Sequence, residues 1–190
     1  MSVYRPISRA FFRVLAVAAS VLSLTTCRPK PQDQRVEAVY DKQTGKLSQL
    51  TVDARKDGKP NIFSYMDGTK FLRIEIDKDE DGRIDRWEYY ADDRQLQKVG
   101  LSRANDGKQD SWVYQGPDGS VARIEISTKR NGKVDRTEFY LKGELSRAEV
   151  DTDGDGRIDK WEEYASGALI RVSFDTTKSG KPNTSIDYRK

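Results

Sequence analysis

Apolar and charged residues alternate along the chain beyond residue 35, and the alternation restarts at a fixed interval. With the glycine behind each polar run as a marker, the copies fall at Gly58, Gly82, Gly107, Gly132, Gly156 and Gly180, spaced by 24, 25, 25, 24 and 24 residues. Eight residues before these glycines stand Leu50, Ile74, Val99, Ile124, Ala148 and Val172; six before them stand Val52, Ile76, Leu101, Ile126, Val150 and Phe174. Residues between and before these columns, such as Arg73, Glu75, Arg123, Glu125, Arg147 and Glu149, are mostly charged. That period of two predicts a strand with one buried face. Behind the glycines, Phe63, Trp87, Trp112 and Trp161 share one column and Tyr65, Tyr89, Tyr114 and Phe139 another two places on, which predicts a second strand in each copy. A fixed period of this length is the mark of a repeat architecture.

The links between copies, Met66-Asp67-Gly68, Gly116-Pro117-Asp118-Gly119, Lys142-Gly143-Glu144 and Ser166-Gly167, have the residues that tight turns need. A helix from Trp87 through Lys98 is compatible with its own residues. The matching stretch of the next copy holds Gly116-Pro117-Asp118-Gly119, however, and equivalent copies fold alike. The expected fold is therefore all-β, an antiparallel meander of about a dozen short strands over residues 36–188, built from six hairpin repeats and curled enough to cover its apolar face.

Whatever chemistry the repeat carries lies in its polar loops. Residues 77–88 place Asp77, Asp79, Asp81, Gly82, Arg83, Ile84, Asp85 and Glu88 at positions 1, 3, 5, 6, 7, 8, 9 and 12 of a twelve-residue loop. Residues 151–162 repeat this with Asp151, Asp153, Asp155, Gly156, Arg157, Ile158, Asp159 and Glu162. Both runs resemble the EF-hand calcium loop, and the resemblance implies Ca2+ held by these positions, since a hard cation takes about six to eight oxygens and the glycine allows the sharp bend. The EF-hand helices do not fit a 24-residue period that alternates by twos. If the loop leaves through a strand rising roughly 3.3 Å per residue, Glu88 is carried away from a cation held by Asp77, Asp79, Asp81 and Asp85. The expected site is then weak, in the range of about 10⁻⁴ to 10⁻³ M typical of extracellular modules. The competing reading is that Asp- and Gly-rich loops are simply soluble turns. The other four copies, with Arg55 and Ser64, Ala104 and Val113, Ser127 and Lys129, or Thr177, Ser179 and Ile186 at ligand positions, are expected to turn without metal.

The strand-turn-strand plan with aromatic pairs also resembles MORN-type hairpin repeats over residues 36–188, which implies an extended sheet that contacts partners. A metal-free interaction repeat is thus the alternative to a calcium-binding module. Two further columns have plain expectations. Lys59, Arg83, Lys108, Lys133, Arg157 and Lys181, behind the glycines, are expected to screen neighbouring aspartates. The tryptophans Trp87, Trp112 and Trp161 are expected in the core rather than in an exposed sugar-binding ladder.

The amino-terminal segment does not belong to the repeat. Arg5, Arg9 and Arg13 precede an apolar run over residues 14–24, and residues 1–26 contain no acidic side chain. This is the grammar of an export signal, and the apolar run is too short for the roughly 20 residues a membrane span needs. Leu24-Thr25-Thr26-Cys27 resembles the lipobox of bacterial lipoprotein precursors. The resemblance implies cleavage before Cys27, a diacylglyceryl group on its thiol and acylation of the new amino terminus. Arg28 in place of Asp behind the cysteine resembles the sorting default of Gram-negative lipoproteins, which implies the outer membrane, facing the periplasm, if the envelope is Gram-negative. Residues 1–26 are thus read as signal peptide, 27–35 as a polar, proline-bearing tether and 36–190 as the repeat domain. As the only cysteine, Cys27 has no intrachain disulfide partner, and lipidation supplies its use.

Charge and composition then exclude several roles. The chain has 34 basic and 31 acidic residues, and without the three signal arginines the balance is neutral. Its basic isoelectric point belongs to the targeting segment, and no nucleic-acid role is expected. There is no histidine and no serine in a nucleophile-elbow pattern, and the carboxylate pairs lie in repeated loops rather than in one singular place, so an enzyme is not expected. The expected partner is a membrane, through the lipid anchor, with an envelope protein or polysaccharide left open.

Overall fold

Strands form where the alternation runs, and the computed structural model describes them over residues 35–92 and 94–188. The signal, the tether up to residue 34 and Cys27 lie outside the described residues. In chain order the strands are β1 Arg35–Tyr40, β2 Leu47–Asp53, β3 Ile62–Asp67, β4 Lys70–Ile76, β5 Arg86–Tyr90, β6 Leu96–Leu101, β7 Ser111–Gln115, β8 Val121–Ile126, β9 Arg136–Leu141, β10 Glu144–Val150, β11 Lys160–Ala165, β12 Ala168–Phe174 and β13 Thr184–Asp187. They make one antiparallel sheet whose spatial order is the sequence order, with β1 and β13 at its edges. Among the described residues there is no helix.

Because every strand reverses the last, the two kinds of connection separate to opposite ends of the sheet. Short turns join the odd-numbered strands to the next even one, and each of these six pairs carries a register shift beside its turn. A bulge there adds local twist and sets the turn. The six polar loops follow the even-numbered strands and so stand side by side at the other end. The long loops join strands in regular register.

The register lays one row of side chains across one face: Leu50, Ser64, Ile74, Glu88, Val99, Val113, Ile124, Glu138, Ala148, Glu162, Val172 and Ile186. Among the described residues no second layer covers it, and most strand residues are half-buried. Among the described residues the buried apolar side chains are Met66, Trp87, Val99, Ile126, Ala148 and Val172. The single buried face expected from the alternation is replaced by two half-covered ones, because among the described residues the sheet has only its own side chains to lie against it. Trp87 is buried and Trp112 and Trp161 are half-buried, with Gln109 bridging: it accepts from Trp112 Nε1 at 2.9 Å and donates to Tyr89 Oη at 2.7 Å. Its side chain fills the space that Gly100 leaves open between the two tryptophan strands; any Cβ at Gly100 would collide with it.

Charged groups do much of the covering. Glu88, in the expected twelfth loop position, lies on β5 and accepts from Arg86 Nε at 2.7 Å and Tyr90 Oη at 2.6 Å. Glu138 repeats this with Arg136 and Tyr140 at 2.8 and 2.9 Å. Glu162 takes Lys160 at 2.7 Å, Tyr164 at 2.8 Å and, across β10, Arg136 at 2.9 Å. The small, fully covered Ala148 lies between Glu138 and Glu162 in the row, where the other copies carry a larger apolar residue. On the opposite face Arg73 and Arg123 stack over Tyr65 and Tyr114 at 4.4 and 4.1 Å while Glu75 and Glu125 accept the tyrosine hydroxyls. Such stacking joins an arginine's apolar plane to an aromatic face and leaves its charge paired.

Burial pushes the Glu162 carboxyl up, but the bonds from Lys160, Tyr164 and Arg136 outweigh it and hold it at about 2, below its ordinary 4.5. A depressed value means that this stabilisation is complete above the ordinary value and is lost as pH falls through the folded one. We expect acid denaturation followed between about pH 4.5 and 2 to show this loss, and Glu162→Gln to flatten that limb. The same change should lower stability at neutral pH by about 1.5–3 kcal/mol in denaturant titrations, the worth of hydrogen bonds to charged groups.

Candidate metal centre

Each polar loop must satisfy main-chain amides that no strand partner reaches, and all six do so by the same scheme. The ninth loop residue accepts from the amide of the second: Asn61 from Ala54, Asp85 from Lys78, Asp110 from Arg103, Asp135 from Thr128, Asp159 from Thr152 and Asn183 from Thr176, at 2.7–3.2 Å. The fifth accepts from the seventh, as Asp81 does from Arg83 at 2.8 Å and Asp155 from Arg157 at 3.0 Å. An aspartate in first place, buried, spans the loop: Asp77 takes the amides of Glu80 and Gly82 at 2.7 and 2.9 Å, and Asp151 those of Gly154 and Gly156 at 2.7 and 2.8 Å. Where serine stands first, the fourth amide turns to the Ser102 or Ser127 carbonyl instead.

The scheme shows how little charge a turn requires. Asn serves in ninth place in two loops and Ser in first place in two others. Across positions 1, 3, 5 and 9 the four other loops hold one or two carboxylates each. The loops at 77–85 and 151–159 hold four each. Their chain folds the excess together: carboxylate oxygens of Asp77, Asp79 and Asp85 lie within 4.8 Å of one another, and so do those of Asp151, Asp153 and Asp159. Two oxygens that each lie about 2.4 Å from one ion are at most about 4.8 Å apart, so each trio has the span of a calcium-type cation.

The remaining expected ligands are placed as follows. Asp81 and Asp155 border the clusters and bond the amides of Arg83 and Arg157. Glu88 and Glu162 are on strands, fully engaged by the arginine, lysine and tyrosine partners described above. The Arg83 guanidinium donates to the Asn105 carbonyl at 3.4 Å. Screening of the aspartates does not fall to the column behind the glycines, since none of Lys59, Arg83, Lys108, Lys133, Arg157 and Lys181 makes an ion pair among the described residues. Ion pairing to the loop aspartates comes from the fourth loop residue in two of the loops, Arg130 and Lys178, a position with no expectation from the sequence.

The fourth residue has positive φ in every loop, at Lys56, Glu80, Asn105, Arg130, Gly154 and Lys178. At four of these apices the side chain reaches the loop before its own. Glu80 meets Arg55 at 2.9 Å and Asn61 at 3.3 Å. Asn105 Nδ2 donates to Asp79 at 2.6 Å and Asp81 at 3.4 Å. Arg130 pairs with Asp106 at 2.6 Å, and Lys178 Nζ lies 2.9 and 3.0 Å from Asp153 and Asp155. Gly154 has no side chain, and there Lys129 reaches forward instead, its Nζ 3.5 Å from the Thr152 carbonyl. Hydrogen bonds to Asp153 and Asp155 raise the Lys178 ammonium above its ordinary value, and Lys178 in turn lowers both carboxylates. The signal that would have revealed this ladder is a column of varied but complementary residues three places behind each loop's first.

The donor sets fit a hard divalent cation. Besides its carboxylates, the first cluster is bordered by the Asn105 amide, whose Nδ2 reaches Asp79 and Asp81 and whose Oδ1 is buried with no hydrogen-bond partner among the described residues. Fold and loops together define a single-sheet β-meander bearing acidic, cation-type loops. The family model described as EF hand matches residues 148–162, the second acidic loop with the end of the strand before it and the beginning of the strand after it. Here that loop is flanked by β10 and β11 rather than by helices. No curated protein matches the sequence. Among solved structures, that of accessory secretory protein 1, 2 and 3 in Streptococcus pneumoniae is similar at 16% identity and a TM-score of 0.27, covering 74% of this chain and 19% of that one. A likeness that slight carries no argument about this chain's role.

The loop geometry generates a direct test. Gly82 has φ 86, a left-handed conformation that costs a residue with a Cβ about 1–2 kcal/mol. Gly82→Ala should lower stability by about that amount in denaturant titrations. Lys56→Gly, at φ 62 with an exposed side chain, should not lower it.

Proposed function

We propose that this protein is a lipid-anchored, calcium-binding module of the cell envelope, with a binding rather than a catalytic role. The observation that carries the calcium reading is the surplus of carboxylates at 77–85 and 151–159 over what the same turn needs elsewhere in the chain. Like charges about 4 Å apart repel by about 1 kcal/mol per pair in water and by more near a protein surface. A divalent cation bound there would offset that repulsion and hold the loop's carboxylates together. Its binding to the folded chain alone then raises stability by mass action. The EF hand match over residues 148–162 supports the same reading. What calcium would supply is cross-linking of the loop end of the sheet; Asp77, Asp79, Asp81 and Asp85, and Asp151, Asp153, Asp155 and Asp159, would hold it.

Asn61 and Asn183 show how to remove charge without removing the turn. Asp85→Asn combined with Asp159→Asn should keep the chain folded in chelator, yet lose most of the rise in melting temperature that millimolar calcium gives the parent. Asp110→Asn, outside the two clusters, should leave that rise unchanged. A parent whose melting temperature ignores calcium would overturn the proposal.

Envelope anchoring rests on the arginine-apolar-LTTC order of residues 1–27. Cells fed a palmitate analogue should label the parent chain and not Cys27→Ala. Equal labelling of the two would refute the anchor and leave the calcium reading untouched.

A further inference from the structure

Loops 77–85 and 151–159 have the same four aspartates but different neighbours. Over the first lies Asn105, whose amide nitrogen touches Asp79 and Asp81 while its oxygen is buried without a partner. Over the second lies Lys178, whose ammonium bridges the corresponding Asp153 and Asp155. Asn105 and Lys178 occupy the same loop position, the fourth, in the loop that follows each cluster. We propose that this neighbouring residue sets the cation affinity of each loop, so that 77–85 is the tighter calcium site and 151–159 is largely neutralised by its own lysine.

The inference rests on the calcium reading above and ranks its two sites. An amide has a donor end and an acceptor end of nearly the same shape. Turning the Asn105 amide by half a rotation replaces its Nδ2 by Oδ1 beside Asp79 and Asp81, which converts a donor to the carboxylates into an oxygen ligand for a cation held there. That rotation supplies from the next loop one oxygen in place of the twelfth-position carboxylate, Glu88, which β5 carries into its pairing with Arg86 and Tyr90. Lys178 has no acceptor end. Calcium can enter the second loop only by displacing an ammonium from two carboxylates and then tolerating its charge nearby. The loop matching the EF hand family model is by this argument the weaker of the two.

The test is a calorimetric titration of the full chain with calcium chloride, with melting temperatures in chelator confirming that each variant is folded. The parent should show one tighter and one weaker site; Asp79→Asn should remove the tighter and Asp153→Asn the weaker. Lys178→Asn should strengthen the second site by about tenfold or more, and Asn105→Lys should weaken the first by a similar factor, the scale of removing or adding one charge beside the ion. Asn105→Asp, which keeps an oxygen in place, should retain or tighten the first site and so separates loss of a ligand from loss of the fold. Calcium binding that is equally tight at both loops, or a second site unmoved by Lys178→Asn, would overturn this proposal while leaving the calcium reading intact. Absence of calcium heat in the parent and in every variant would overturn both.

Discussion

Among the described residues the sheet is one layer thick and has nothing to lie against, and this constraint shapes the rest of its structure. Two-layer domains hide one apolar face of each layer. Here thirteen strands in sequence order leave both faces to be covered by their own side chains. Long side chains with an apolar body and a polar end suit that task. Arginines lie over tyrosine rings, glutamates take up the arginine and tyrosine donors, and Gln109 spans the gap above Gly100. The charged residues that look from sequence like a solvated face are thus part of what shields the sheet.

The same constraint explains where chemistry can reside. A meander puts all its long loops at one end, and successive loops contact one another there. Backbone amides there are satisfied by side-chain oxygens, and Asn or Ser suffices at several positions where the acidic loops use Asp. Carboxylates beyond that requirement are an electrostatic cost in the isolated chain. Neighbouring loops offset part of that cost: Lys178 does so as a charge, Arg130 does so for Asp106, and Asn105 only as a hydrogen-bond donor. Two loops with the same aspartates therefore sit in different electrostatic surroundings.

Much of this was legible in the chain alone. The period of 24–25 residues, the twofold alternation and the turn residues define an antiparallel meander, because strand geometry demands alternation and tight turns demand glycine and Asx residues. The two acidic loops were legible too, since their ligand spacing lies within one short segment. So was the doubt over Glu88, because a strand extends faster than a calcium loop can fold back.

Three things were decided only by tertiary structure. Whether the sheet acquires a second layer is not a property of any one repeat, and its absence among the described residues made half-buried faces of columns that alternate as if for a core. The pairing of Glu162 with Arg136 crosses β10 over Ala148, a contact between copies that no single repeat contains. The ladder along the loop end depends on positive φ at each fourth residue, which aims Asn105 and Lys178 at aspartates 23 to 26 positions earlier. Spacing along a chain determines what a loop can ligate by itself. What stands beside it is set by the register of the sheet, which brings distant residues within hydrogen-bond reach.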